Sequence, residues 1–196
     1  MTTPTSRLSK QARREQLLDT AMTMVRDQGA DGLTLATLAE AAGVSRPIVY
    51  DHFGTRPGLL LALYRRLDER HRDASARALR EAAPAVEEIA HAMSAAYFAC
   101  ATDMPEFNAV SAALKGNPEM EEIQHQMLDS FRDWLAAALL SHSRLTSEAL
   151  RLRCVGVLGA AETIAAELNR GQTTAAEAVT ALSDLIVGSV GARTDR

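Results

Sequence analysis

Arg46 and Ile48 stand in the run SRPIVYDHF, residues 45–53, whose residue types suit reading DNA better than transforming a small molecule. An arginine can pair bidentately with guanine, and an isoleucine can lie against the methyl group of thymine. Upstream, Thr34 offers a hydroxyl together with a helix N-terminus, a combination that holds phosphate. Arg13 and Arg14 add cations that either reach the same backbone or form a solvated charged face. The chemistry of catalysis is missing. The chain has no Gly-rich phosphate loop, no nucleophile standing with a base, and no metal-ligand cluster. His91 and Glu162 are the nearest acid–base candidates, and nothing in the sequence brings them together. Cys100 and Cys154 each stand alone among apolar residues and read as core thiols. Neither a cofactor nor a metal is expected.

Side chains that read a duplex need a rigid frame, and the spacing predicts one. Ser9 caps a helix to about Gln28, with Leu17, Leu18, Ala21, Met24 and Val25 on one face, and Gly29 ends it. Thr34 is the N-cap of a short second helix whose stripe is Leu35, Leu38 and Ala39. Gly43 allows a tight turn, and Ser45 offers a cap for a third helix holding Pro47 to about His52. Two short helices joined by such a turn form a helix-turn-helix, whose second helix enters the major groove. Specificity then falls to Ser45, Arg46, Pro47 and Ile48. Pro47 fits a first helical turn but restrains the residue before it, so Arg46 reads as the cap, with base contact and phosphate contact both open to it.

Residues 33–63, LTLATLAEAAGVSRPIVYDHFGTRPGLLLAL, resemble the N-terminal domain of TetR-family (tetracycline-repressor-like) transcriptional regulators. The shared features are Thr34 opening helix 2, the Ala-x-x-Ala-Gly-Val-Ser turn at 39–45, Tyr-x-His-Phe at 50–53, and Thr55-Arg56 before a Leu-rich helix. The likeness is dense over roughly 10–66. It implies that Tyr50 and His52 contact the DNA backbone, that Phe53 is core, and that Arg56 holds a further phosphate. Pro47-Ile48 departs from a common Gly-Thr of the family.

The remaining residues read as helices only, so the expected fold is all-α with about nine helices. A helix-turn-helix domain at 1–55 precedes a ligand-binding and dimerisation domain at 56–196. Charge divides along the chain: residues 1–83 carry +3 and residues 84–196 carry −7, leaving the front part fit to approach phosphates. Large apolar residues at helical spacing in the back part are core or pocket. The resemblance implies a pocket, with Met93, Tyr97, Phe107, Gln124, Met127 and Phe131 as its candidate lining. Small residues and leucines near the C-terminus, Gly156, Gly159, Ala160, Leu182, Leu185 and Ile186, suit either internal packing or a homodimer seam, and the resemblance favours the dimer. No segment looks like a signal peptide or a bilayer span, so a cytoplasmic location and no membrane partner are expected. The expected function is a dimeric regulator, a repressor released from a palindromic double-stranded DNA operator by a small apolar effector. A ligand-independent regulator or activator is the alternative, and an all-α enzyme a remote one.

Overall fold

The structure, a computed structural model, describes residues 8–103 and 105–190, apart from the side chains of 100–103, 105 and 124. Residues 1–7, Met104 and the side chains of Cys100 and Gln124 therefore lie outside the described residues. Nine α-helices account for most of the rest: α1 Lys10–Gln28, α2 Leu35–Ala41, α3 Arg46–Phe53, α4 Arg56–Glu81, α5 Val86–Asp103, α6 Pro105–Ala113, α7 Pro118–Leu139, α8 Ser147–Asn169 and α9 Ala175–Ser189. No strand occurs among the described residues.

Local chemistry fixes the ends of these helices. Ser9 accepts a hydrogen bond from the Ala12 amide, and Thr174 forms a reciprocal cap with Glu177. The Gly29 backbone has φ +77°, ending α1 in a conformation that a residue with Cβ rarely adopts. Gly58 answers to a different constraint. A Cβ there would lie 2.3 Å from the Phe53 carbonyl oxygen, so the first turn of α4 can sit against the end of α3 only without a side chain. α5 begins at Val86, two residues after Pro84.

Packing divides the chain into two compact units. The first contains the residues up to Leu67 together with Pro105–Gly116; the second contains Asp68–Met104 and the residues from Asn117 onward. The division expected at residue 55 is therefore not where contacts separate, because the first part of α4 and all of α6 pack with α1–α3. In the first unit Leu17, Leu18, Ala21, Met22 and Val25 of α1 are buried with Leu38, Val49, Leu63 and Val110. Met22 takes the inward position expected of Met24. Arg26 reaches from α1 to the buried carboxylate of Glu106 on α6, and Phe107 packs on Tyr64 with ring centroids 4.8 Å apart.

The second unit is built on α5, α7, α8 and α9 around Ala90, Met93, Phe98, Leu135, Leu139, Cys154, Leu182 and Ile186. Cys154 is buried as expected, and burial raises its thiol pKa, which disfavours the reactive thiolate. His71 of α4 lies among aromatic rings, and burial lowers its imidazole below the ordinary value of 6.5. Above pH 6.5 the ring is neutral in folded and unfolded chains alike and its shift contributes nothing. Below that value the unfolded chain takes up the proton first, so stability falls until the lowered folded pKa is passed. Thermal unfolding should therefore shift to lower temperature as pH drops from 7 towards 5, and His71→Gln should flatten that slope. His52, also lowered, leaves a smaller remainder of the same sign.

Candidate nucleic-acid interface

The helix-turn-helix is held from within by Leu38, Ala39, Val49 and Phe53, all buried. Its turn runs through Gly43 at φ +65°, and the Val44 amide donates to the Ala39 carbonyl at 3.0 Å, closing α2 onto the turn. Ser45 has extended backbone and its carbonyl accepts from the Ile48 amide, so Ser45 is the N-cap of α3; its hydroxyl makes no cap bond. Arg46 was expected at the cap and is instead the first helical residue, one position ahead of Pro47. The outward surface of α3 carries Ser45, Arg46, Pro47, Ile48 and Tyr50, the last 53% exposed. No hydrogen bond or ion pair engages Arg46 among the described residues. Its guanidinium, the Ser45 hydroxyl and the Tyr50 ring thus stand side by side with solvent in front of them.

Around this face the cations have different duties. Arg14 donates to the His52 carbonyl at 2.8 Å and lies over the Phe53 ring, 4.9 Å from its centroid, so it fixes the end of α3 against α1. Lys10 pairs with Asp51 on the surface. Arg56, expected to hold a phosphate, has partners within the chain: its Nε donates to the Leu33 carbonyl and its Nη2 to the Ala30 carbonyl, each at 2.8 Å. The guanidinium fork fits the loop between α1 and α2, whose carbonyls need donors, and it is occupied there. Thr34 uses its hydroxyl to accept from the Thr37 amide at 3.0 Å, while its own amide donates to the Thr37 hydroxyl at 2.9 Å. The Thr34 and Thr37 hydroxyls also lie 3.0 Å apart, either able to donate to the other. Partial burial lowers the His52 pKa; Lys10, Arg14 and Arg13 lower it further and Asp51 opposes them. At neutral pH the ring therefore offers an uncharged N–H.

Residues 17–63 match the sequence profile of the bacterial regulatory proteins, tetR family. This segment is similar to the N-terminal region of tetR-family proteins, and the profile covers less than half of the chain. The region is 35% identical over 77 residues to the HTH-type transcriptional regulator BetI of Rhizobium meliloti, covering 39% of this chain and 38% of that protein. It is 37% identical over 62 residues to the tetracycline repressor protein class D of Escherichia coli, covering 32% of this chain and 28% of that one. The match thus spans between 28% and 38% of the length of these curated relatives. The likeness in fold extends further than the likeness in sequence. A protein of unknown function from Rhodococcus sp. RHA1 superposes with a TM-score of 0.77 at 26% identity, covering 96% of this chain and 100% of that one.

The other candidate residues are scattered differently from expectation. Met93 is 2% exposed within the core of the second unit, filled in by Phe98 and Leu139, so it is a packing residue. Phe107 belongs to the first unit, on Tyr64. Tyr97 and Phe131 do meet, ring centroids 5.9 Å apart, and Met127 is half-buried on the same helix as Phe131. A groove of about 490 Å³ opens elsewhere, between Arg132, Thr146, Glu148, Arg151, Leu152 and Val155. Of the seam candidates, Leu182 and Ile186 turn inward and are buried against their own unit, because α9 needs its apolar stripe to cover α5 and α8. Gly156, Gly159 and Leu185 are exposed, and Ala160 is half-buried. Spacing missed Leu152, 73% exposed, and Val155, which share one face of α8 with Gly156 and Gly159. Their signal was legible as an i, i+3, i+4, i+7 stripe beyond the residues needed for the core.

Proposed function

We propose that this protein is a dimeric, sequence-specific transcriptional regulator, a repressor that leaves a palindromic operator when a small apolar effector binds. The observation that carries the DNA contact is the outward face of α3, where Arg46, Ile48 and Tyr50 face solvent while Val49 and Phe53 anchor the helix beneath. Ser45, Arg46, Pro47 and Ile48 are the base-reading group; Thr34, Tyr50 and His52 hold the backbone. The tetracycline repressor, whose name states repression, supports the sign of control and the small-molecule trigger. The exposed stripe of Leu152, Val155, Gly156 and Gly159 on α8, with Leu185 on α9, supports a second copy as the partner there. An effector works by preferring the conformer that does not fit DNA, since equal affinity for both would shift nothing.

A duplex selected from a random pool by the purified protein provides the test. Arg46→Ala should weaken its binding by about 10- to 100-fold, the loss of one bidentate base contact. The thermal unfolding of this variant should be unchanged, since the side chain has no partner among the described residues. Inserting about five base pairs, half a helical turn, between the half-sites should abolish tight binding, because recognition helices of a dimer meet major grooves about 34 Å apart. Affinity indifferent to that spacing would remove the dimeric reading.

A further inference from the structure

The inward side of α4 in the second unit is polar where a core helix would ordinarily be apolar. Asp68, His71 and Ser75 recur there at i, i+3 and i+7, and Asp68 is neutralised by Arg72 at 3.1 Å. Ser75 is 2% exposed and Ser94 of α5 is 0% exposed, and neither hydroxyl has a hydrogen-bond partner among the described residues. This is not the habit of helical hydroxyls in the chain. Thr20, Thr23, Ser130, Ser183 and Ser189 each donate to the carbonyl one turn back. Buried hydroxyls without partners weaken a fold, and their presence at two positions asks for an explanation.

The aromatic groups beside them supply one. His71 stacks on Phe131 at 6.2 Å and 17°, and Tyr97 meets His71 edge-on at 6.4 Å. Trp134 closes the row against Phe131 at 5.7 Å. The connection between α4 and α5 is only residues 82–85, so the two helices run back along one another. Ser75 lies one turn beyond His71 on α4 and Ser94 one turn before Tyr97 on α5, so each buried hydroxyl is one turn from the rings that bring these two helices together. The groups present are hydroxyls and an imidazole that burial keeps neutral, each able both to donate and to accept. A carboxylate would find no free cation in this set. A quaternary ammonium ion has neither a donor nor an acceptor and would leave both serine hydroxyls without a partner.

We propose that His71, Ser75, Ser94 and Tyr97 form the effector site and that it takes an uncharged aromatic compound bearing a hydroxyl group, a phenol in its simplest form. The inference rests on the reading above that the chain responds to a ligand. The planar ring would insert against Phe131 and Trp134, and its hydroxyl would satisfy the two serine hydroxyls together.

Trp134 is the only tryptophan, so its fluorescence in the full-length protein reports occupancy of this site. Titration with phenol should change the signal saturably, whereas benzoate and phenyltrimethylammonium should not. Ser75→Ala and Ser94→Ala should each weaken phenol binding by about three- to tenfold, one neutral hydrogen bond apiece. Both variants should unfold at the wild-type temperature or above it, because they delete a hydroxyl that has no partner in the folded chain. Lower unfolding temperatures with unchanged phenol affinity would assign the serines to structure and overturn the site. Binding of benzoate or the ammonium ion in place of phenol would overturn the ligand class, and no response to any of the three would overturn both. Binding to the selected duplex is measured separately: failure there refutes the regulator reading and leaves the fluorescence result to decide the site.

Discussion

Arg26→Ala should lower the free energy of unfolding by about 3 kcal/mol, the cost of leaving a buried charge without its partner. Glu106 is 1% exposed; its Oε1 is held by both Nε and Nη2 of Arg26, while Oε2 has no partner among the described residues. The arginine side chain is more than half exposed, which places the expected loss at the lower end for buried pairs. In a chain of this size that corresponds to a fall of roughly 6–12 °C in the unfolding temperature. Adding Glu106→Gln to the alanine variant should return at least half of the loss, because an amide is far cheaper to bury than an unpaired carboxylate. Denaturant unfolding of wild type, both single variants and the double variant measures this directly. An Arg26→Ala protein within about 1 kcal/mol of wild type would show that the pair carries no such weight.

Arg56→Ala should cost about 2–3 kcal/mol, since two charge-assisted hydrogen bonds to the carbonyls of Ala30 and Leu33 disappear together. Arg56→Lys should recover about half, because an ammonium group cannot span both carbonyls with the geometry of the guanidinium fork. The same variants separate this role from a phosphate contact. A lost phosphate contact lowers the salt dependence of DNA binding by about one unit of slope and leaves folding alone. The loop role requires the converse: lower stability, with the salt slope of the surviving folded protein unchanged. Unfolding curves and binding at several salt concentrations distinguish them.

The helices and many of their ends were legible because they depend on neighbours in sequence. Ser9, Thr34 and Gly29 act where a polar cap or a left-handed turn was expected, and the inward faces of α2 and α3 follow their apolar spacing. What spacing cannot provide is the identity of the element across the contact. Arg56 has the composition of a phosphate ligand, yet a loop 23 positions earlier takes its guanidinium. Leu182 and Ile186 have the composition of a seam between copies, yet α5 and α8 consume that face, leaving Leu152 and Val155 outside. Phe107 sits in sequence among the pocket candidates, but its ring rests on Tyr64 in the other unit. Each of these outcomes was decided by a contact distant along the chain.

The membership of α6 in the first unit also sets an order of events at the ribosome. The helix-turn-helix emerges first, but Arg26 and Tyr64 have no Glu106 and Phe107 to meet until α4 and α5 have been made. The N-terminal unit therefore completes its packing only after most of another helix-bearing segment has left the tunnel, and a nascent chain stalled near residue 70 would hold its reading helix on an unfinished base.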